Sequence, residues 1–234
     1  MSGAIVAMGG GGFSEQPDNS LLDRFVLSLA RRERPRVCFV ATASGDSERY
    51  VASFYRAFAK LDCEPSDLAL FDRRVADLRA HVLEQDVIYV GGGNTLSLLG
   101  VWRAHGLDEI LGDALDAGAV LCGVSAGMNC WFEASVTDSF GPRLAPLDDG
   151  LGFVSGSACP HYDSEEQRRP VYHRLVAAGF PDGYAADDGA ALHFSGPNEL
   201  AEVVTSIEGA RGYRVERRDD GAAVETALPT RYLW

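Results

Sequence analysis

Short, almost continuously apolar segments alternate with longer amphipathic ones over the first part of the chain. The apolar segments are Ala4–Met8, Arg36–Ala41, Leu68–Phe71, Asp86–Val90 and Ala119–Gly123. Strands that are apolar on both faces and separated by helices predict a mostly parallel sheet with helices covering both sides. We therefore predict a doubly wound α/β fold, in which ligands bind at the carboxyl ends of the strands.

Helical periodicity is clearest in two places, and the last third of the chain has a different pattern. Apolar residues recur at helical spacing over 21–29 and 51–61, and a further helix is predicted from Ser164 to Ala178. After it, apolar and polar residues alternate around Ala201–Ile207, Gly212–Arg217 and Ala222–Ala227. This alternation predicts antiparallel strands at one edge of the sheet. Without a linker or an internal repeat, residues 1–234 are predicted to form a single domain.

The net charge and the hydropathy of the chain argue against nucleic acid and membranes as binding partners. The 34 acidic residues outnumber the 21 basic ones, which gives a formal net charge of -13. A chain this acidic is a poor ligand for nucleic acid or for an anionic membrane surface, and no apolar run approaches the ~20 residues of a membrane span. Met1–Phe13 lacks the basic and apolar regions of a secretory signal. We predict a cytoplasmic protein.

The five cysteines are scattered and odd in number, so they do not suggest a disulfide framework. They are Cys38, Cys63, Cys122, Cys130 and Cys159. Three of them lie in or beside strongly apolar stretches, which is typical of reduced, buried thiols. The cysteine spacing does not support a structural zinc site.

Glycine-rich segments follow three of the predicted strands. Gly9–Gly12 lacks the residues that would complete a dinucleotide fingerprint or a P-loop, and we interpret it as a tight turn. The second segment, Gly91–Gly93, is followed by Asn94 and a predicted helix. There, backbone N–H groups can approach a ligand closely, or Asn94 can simply cap the helix.

The third segment, Gly123–Gly127, reads G-x-S-x-G between a buried strand and a helix. This is the context of a nucleophile elbow, in which Ser125 projects from the top of the sheet and the Ala126 N–H joins an oxyanion hole. The alternative is that Ser125 is an ordinary helix cap. We favour the nucleophile because the motif stands in its required strand–turn–helix setting.

A serine nucleophile requires a general base and a carboxylate that orients it. His161 lies at a predicted strand end, and Asp188 precedes a glycine at another, which gives the order Ser125, His161, Asp188. The order of an ordinary α/β-hydrolase would instead require Ser125, Asp163 and His193. Spacing alone leaves both triads open.

The motifs GGGNTLSLL, GVSAGMN, CPHY and DDG resemble those of the S51 serine peptidases, the peptidase E and cyanophycinase group. The resemblance extends from about Gly9 to the GPN segment at 196–198. It implies a sheet related to class I glutamine amidotransferases and a triad in the order serine, histidine, acid. It therefore supports Ser125, His161 and Asp188, although Asp188 stands where peptidase E has a glutamate, one methylene longer.

The resemblance also implies roles for residues outside the triad. Gly93 and Ala126 resemble the two backbone donors of the oxyanion hole. Asn94 and Asp138 are candidate substrate-binding residues. No metal or organic cofactor is implied.

Glu165 marks a departure from the family pattern. Aspartyl dipeptidases hold the substrate's aspartate with an arginine in a segment like E-T-R-E-Q-R, whereas this chain has Asp163–Arg168, with Glu165 at the arginine position. A carboxylate there would repel an acidic substrate. Glu165 is therefore a third candidate substrate-binding residue, and we do not expect strict Asp-X specificity.

The leading hypothesis is a serine peptidase, monomeric or homodimeric, that hydrolyses short peptides as a dipeptidase or an aminopeptidase-like enzyme. One alternative is a non-enzymatic, amidotransferase-like protein that binds a metabolite or a partner. The other is an esterase or amidase with the Ser125, Asp163, His193 order.

Overall fold

The computed structural model describes residues 3–196 and 198–234, so Met1, Ser2 and the Pro197 of the GPN segment lie outside the described residues. Eight strands form the larger of two sheets. They are β1 (Ala4–Met8), β2 (Arg36–Val40), β3 (Glu64–Leu68), β4 (Val87–Val90), β5 (Val120–Val124), β10 (Ala190–Phe194), β11 (Leu200–Thr205) and β14 (Thr230–Tyr232), in the order β14-β11-β10-β1-β5-β4-β2-β3.

The strands β1 to β5 are parallel to one another, and β10 runs antiparallel beside β1. The helices are α1 (Gly12–Glu15), α2 (Leu21–Ser28), α3 (Glu48–Phe58), α4 (Leu78–Leu83), α5 (Thr95–His105), α6 (Leu107–Ala117), α7 (Ala126–Asn129) and α8 (Arg168–Ala177), with one 3-10 turn at Thr42–Ser44. The predicted α/β fold with a mostly parallel sheet is confirmed.

Both faces of the large sheet are buried, which explains the continuous apolar runs. In β1, Ile5 and Ala7 pack into one hydrophobic cluster, while Val6 and Met8 pack into the cluster on the opposite face. Successive side chains of a strand point to opposite sides, so a strand covered on both faces must be apolar throughout.

The third predicted strand, Leu68–Phe71, is displaced in the structure. Strand β3 spans Glu64–Leu68 and includes Pro65. Proline lacks the N–H that an inner strand needs, and β3 is indeed the edge strand of its sheet. The prediction was wrong here because it followed the apolar residues, whereas an exposed edge accepts the polar sequence EPSDL.

A second sheet of six strands is formed by segments that follow α7 in the chain. It contains β6 (Phe132–Thr137), β7 (Ala145–Leu147), β8 (Val154–Cys159), β9 (Gly183–Ala186), β12 (Gly212–Arg217) and β13 (Ala223–Ala227), in the order β13-β12-β9-β8-β6-β7. The strand predicted at Ala201–Ile207 corresponds to β11, near the edge of the large sheet. The next two, β12 and β13, form an antiparallel hairpin as predicted, but in the second sheet. The alternation of apolar and polar residues predicted that these strands are antiparallel, but it did not predict which sheet they join.

The predicted helix at 164–178 begins four residues later than expected, at Arg168. Pro170 explains this start, because a proline is tolerated in the first turn of a helix and disrupts its interior. The shorter helix leaves 161–167 as a loop that carries His161. All five cysteines are buried and unpaired, as predicted. Across residues 3–196 and 198–234, no helix has both the length and the apolar composition that a membrane span requires.

Candidate active site

Ser125 lies in a sharp turn between β5 and α7. Its backbone has φ 58° and ψ -110°, a conformation that a residue with a side chain rarely adopts and that costs ~1–3 kcal/mol. The flanking glycines permit the turn: a Cβ on Gly123 would come within 2.4 Å of the Gly127 carbonyl oxygen, and one on Gly127 within 2.5 Å of the Val90 oxygen. The G-x-S-x-G spacing therefore has a steric cause.

The glycine segment after β1 joins the parts of the predicted triad. The Met8 carbonyl accepts a hydrogen bond from Ser125 N (3.1 Å), and the Gly9 carbonyl accepts one from His161 N (3.1 Å). The Gly10 carbonyl accepts one from Gly189 N (3.0 Å), next to Asp188. Three consecutive carbonyl groups thus hold three distant segments of the chain at one end of the sheet.

These contacts require glycine at positions 9 and 10. A Cβ on Gly9 would lie 2.3 Å from the Ala186 carbonyl oxygen, and one on Gly10 would lie 2.0 Å from Asp188 Oδ1. Sequence reasoning interpreted Gly9–Gly12 only as a tight turn and missed this anchoring role. A run of four glycines is longer than a turn needs, and that was the available signal.

His161 and Asp188 are directly bonded, with 2.7 Å between His161 Nδ1 and Asp188 Oδ1. The side chain of His161 is 13% exposed and that of Asp188 27%. Burial opposes protonation of His161, but the Asp188 hydrogen bond and the charges of Asp188 and Glu15 outweigh it and raise the pKa of the imidazole. Burial likewise opposes ionisation of Asp188, yet hydrogen bonds from His161 and Ser164 lower its pKa.

The aspartate therefore reaches the histidine although its side chain is one methylene shorter than that of a glutamate. Gly10 permits this approach, because the Asp188 carboxylate occupies the space where a Cβ on residue 10 would lie. The neighbouring acid, Asp187, points elsewhere and accepts hydrogen bonds from Arg211 N and Tyr213 Oη. His161 itself has φ 52°, a second strained residue at this site.

The groups predicted to form an oxyanion hole lie beside Ser125. A Cβ on Gly92 would be 3.4 Å from the Ser125 Cβ, so the glycine segment after β4 packs against the serine. Gly93 has φ 140°, and a Cβ there would meet the Ala43 carbonyl oxygen at 2.2 Å. Within the described chain, the N–H groups of Gly93 and Ala126 have no hydrogen-bond acceptor. The Ser125 hydroxyl likewise makes no hydrogen bond to any described residue, and His161 is among those it does not reach.

Asn94 is occupied by structural contacts. Its Oδ1 accepts a hydrogen bond from Ser97 N (2.8 Å), which caps α5, and its Nδ2 donates to the Ser139 carbonyl (3.0 Å). These bonds hold the loop that contains Asp138 against the start of α5. Asp138 is exposed in this loop. The substrate roles of Asn94 and Asp138 stay predictions.

Glu165 forms an ion pair with Arg168, with 2.6 Å between Glu165 Oε2 and Arg168 Nε. The arginine is almost fully buried, and its Nη1 donates to the Val136 carbonyl (2.9 Å). Sequence analysis did not pair these two residues. The Glu165 charge is consequently compensated locally instead of standing alone.

The alternative triad is not assembled. Asp163 Oδ1 accepts a hydrogen bond from Asp188 N (2.8 Å), so this acid supports the Asp188 loop. His193 lies in β10 with its Nδ1 3.7 Å from Glu202 Oε1, and its ring packs edge-on against Phe25. The order Ser125, Asp163, His193 therefore has no geometric support.

Glu15, which sequence reasoning did not single out, lies beside the pair formed by His161 and Asp188. One polar atom from each of these three residues falls within 4.8 Å of the other two. These atoms are close enough together to bind a metal ion. However, His161 Nδ1 already shares a hydrogen bond with Asp188. We interpret the group as a charged network around the imidazole.

Comparison with known proteins identifies the family of this chain. The sequence model of peptidase family S51 matches residues 5–200. The chain belongs to peptidase family S51. It is accordingly a serine-type peptidase, and the resemblance found from the motifs is confirmed. This sets aside the non-enzymatic alternative.

Relatives within the family differ in how much of the chain they match. The uncharacterized peptidase YgaJ of Bacillus subtilis is 54% identical over 230 residues, which cover 98% of each chain. Peptidase E of Pasteurella multocida is 29% identical over 182 residues, 72% of this chain and 75% of that one.

Solved structures support the fold. A peptidase from an acI-B1 actinobacterium has a TM-score of 0.69 at 17% identity, covering 98% of this chain and 95% of that chain. A putative peptidase E from Listeria monocytogenes has a TM-score of 0.58 at 16% identity, covering 98% and 100%.

Proposed function

We propose that this enzyme hydrolyses short peptides with a triad of Ser125, His161 and Asp188. The observation that carries the proposal is the attachment of Ser125, His161 and the Asp188 turn to three consecutive carbonyl groups, Met8 to Gly10. The His161–Asp188 hydrogen bond of 2.7 Å supports it further. Catalytic hydrogen bonds to the nucleophile often form only when substrate is bound, so the unbonded Ser125 hydroxyl is compatible with this role.

In the proposed mechanism, Ser125 Oγ attacks the scissile carbonyl carbon while His161 Nε2 takes the hydroxyl proton. Asp188 holds the imidazole in the required tautomer and stabilises the imidazolium that forms. His161 then gives the proton to the leaving amine, and the peptide C–N bond breaks. A water molecule, deprotonated by the same histidine, hydrolyses the acyl-enzyme and releases the serine.

The N–H groups of Gly93 and Ala126 are proposed to bind the oxyanion of the tetrahedral intermediate. Both lack an acceptor within the described chain, so they are available to a ligand. Loss of one side-chain donor from the oxyanion hole of a serine peptidase costs about 3 kcal/mol, so donors at this position contribute strongly to catalysis.

For specificity, we propose a preference for neutral over acidic residues on the amino side of the scissile bond. Glu165 replaces the arginine of aspartyl dipeptidases, and its partner Arg168 has its charge satisfied by that carboxylate. This pair therefore offers no spare cation to a substrate aspartate. Repulsion should be modest, because the pair is close to neutral as a unit.

The test compares Ala-X, Leu-X and Asp-X dipeptides with the wild type and the Ser125→Ala variant. Ser125→Ala should lower kcat about 10⁶-fold with an unchanged circular dichroism spectrum. Ser53→Ala is the matched control, because Ser53 is on α3, where its hydroxyl donates to the Arg49 carbonyl. Wild-type turnover by Ser125→Ala would refute the nucleophile, and a strong preference for Asp-X would refute the role given to Glu165.

A further inference from the structure

Glu15 places a second carboxylate next to the histidine of the proposed triad. It is the last residue of the short helix α1, which begins within the glycine segment Gly9–Gly12. Its Oε2 accepts a hydrogen bond from Gly11 N at 2.6 Å, which ties the carboxylate back to that segment. The proposed mechanism gives Glu15 no part.

The position of this carboxylate relative to Asp188 is defined by Gly10. A Cβ built on Gly10 would lie 2.0 Å from Asp188 Oδ1 and 2.9 Å from Glu15 Oε2. The two carboxylates therefore converge on the same backbone position, and both are within 4.8 Å of the imidazole. Two carboxylates this close repel each other unless a cation lies between or beside them, and His161 is the group that can become one.

Other titratable side chains surround this cluster. Those that face Glu15, His161 or Asp188 from the neighbouring segments are Tyr50, Asp163, Glu165 and Arg168. Glu165 and Arg168 compensate each other as an ion pair, and the Tyr50 and Asp163 side chains are committed to hydrogen bonds with Gly92 N and Asp188 N. Glu15 is thus an additional negative charge beside the imidazole.

We infer that Glu15 is a positioning residue which, together with Asp188, stabilises the imidazolium form of His161 during catalysis. The inference rests on the proposed role of His161 as general base. Its direct consequence is that removing the Glu15 charge makes His161 a weaker base. The electrostatics agree: partial burial raises the pKa of Glu15 while the charge of His161 lowers it, and the charge of Glu15 in turn raises the pKa of His161.

The variant that isolates the charge is Glu15→Gln, because its amide oxygen can still accept the Gly11 N–H. Glu15→Ala removes the charge in a second way and serves if the glutamine variant does not fold. Glu166→Gln is the matched control, since it makes the same change of net charge at an exposed residue in the His161 loop. Folding of each variant is checked by thermal denaturation.

The first measurement is a nuclear magnetic resonance titration of the His161 imidazole in a Ser125→Ala background, assigned by loss of the signal in His161→Gln. Glu15→Gln and Glu15→Ala should both lower the pKa of His161, and Glu166→Gln should leave it in place. An unchanged or raised His161 pKa in the Glu15 variants, or an equal shift in Glu166→Gln, overturns the inference.

The second measurement is the pH profile of kcat/KM for an alanyl dipeptide. In Glu15→Gln the acidic limb should move to lower pH, and kcat on the plateau should fall about two- to fivefold, the size expected for partly exposed charges. KM should not change, because the inference has Glu15 act through His161 and not through contact with substrate. The titration needs no turnover, so a failure of the proposed peptidase activity and a failure of this inference are distinguishable.

Discussion

His161 and His193, the two histidines that sequence analysis considered as the general base, each lie beside a carboxylate, and only the first pair is arranged as the proposed mechanism requires. His161 is on a loop at the carboxyl end of the large sheet, 2.7 Å from Asp188. His193 is inside strand β10, 3.7 Å from Glu202. The Asp188 hydrogen bond raises the pKa of His161 despite burial, whereas burial outweighs Glu202 and lowers the pKa of His193. Proximity to an acid is therefore insufficient, and the bond geometry decides which histidine can act as a base.

The largest difference between the two histidines is expected when each is replaced by glutamine. His161→Gln should lower kcat about 10⁶-fold, because the general base is lost. His193→Gln should keep kcat within about threefold once the folded fraction is taken into account. Steady-state kinetics on an alanyl dipeptide measures both, and a larger loss for His193 would restore the alternative triad.

The carboxylate partners give the next largest contrast. Asp188→Asn should lower kcat about 10⁴-fold, because an amide favours the wrong imidazole tautomer. Glu202→Gln removes the equivalent partner of His193 and should leave kcat unchanged. Equal effects of the two substitutions would mean that Asp188 does not orient the base.

A smaller effect is expected from the backbone that supports the first pair. Gly10→Ala would push a methyl group against Asp188 Oδ1, and displacing a catalytic group by about 1 Å costs on the order of 100-fold in rate. The matched control is Gly100→Ala in helix α5, where a Cβ meets nothing within 4 Å. Kinetics and thermal denaturation should show an active, slightly stabilised Gly100→Ala protein. An equally active Gly10→Ala protein would show that the glycine segment does not support the site.

The smallest predicted effects are on the pH dependence of stability, and they have opposite signs. The raised pKa of His161 stabilises the folded protein below pH 6.5, and this contribution is lost as the pH rises through the higher folded value. The lowered pKa of His193 destabilises the folded protein as the pH falls below 6.5. Urea denaturation from pH 5.5 to 8.5, comparing each glutamine variant with wild type, separates the two slopes. Slopes of the same sign would contradict the assigned environments.

Much of the fold follows from local pattern, because strands buried on both faces leave unbroken apolar runs. The elbow around Ser125 was predictable for a similar reason. The tight turn requires glycine at positions 123 and 127, and this spacing can be recognised in the sequence. The assignment of β12 and β13 to a second sheet was not predictable, since alternation reports which face is buried and not which strand is the neighbour.

The candidate site was predictable in part. Ser125, His161 and Asp188 each stand at a strand end beside a recognisable motif, but choosing between His161 and His193 required the family resemblance. Glu15 was missed because one acidic residue after a glycine run carries no signal until Gly10 brings it beside Asp188. The ion pair of Glu165 with Arg168 was missed because the helix start set by Pro170 decides which way Arg168 faces.

The anchoring of three segments on Met8, Gly9 and Gly10 has a consequence for synthesis of the chain. Residues 8–10 are among the first to be synthesised. The hydrogen bond between Gly10 and Gly189, however, closes a loop of nearly 180 residues, and contacts of such sequence separation form late in folding. A nascent chain that has exposed Ser125 still lacks His161 and Asp188. Peptidase activity is thus expected to appear only after the segment up to β10 has emerged and docked beside β1, so that no shorter translation product carries an assembled site.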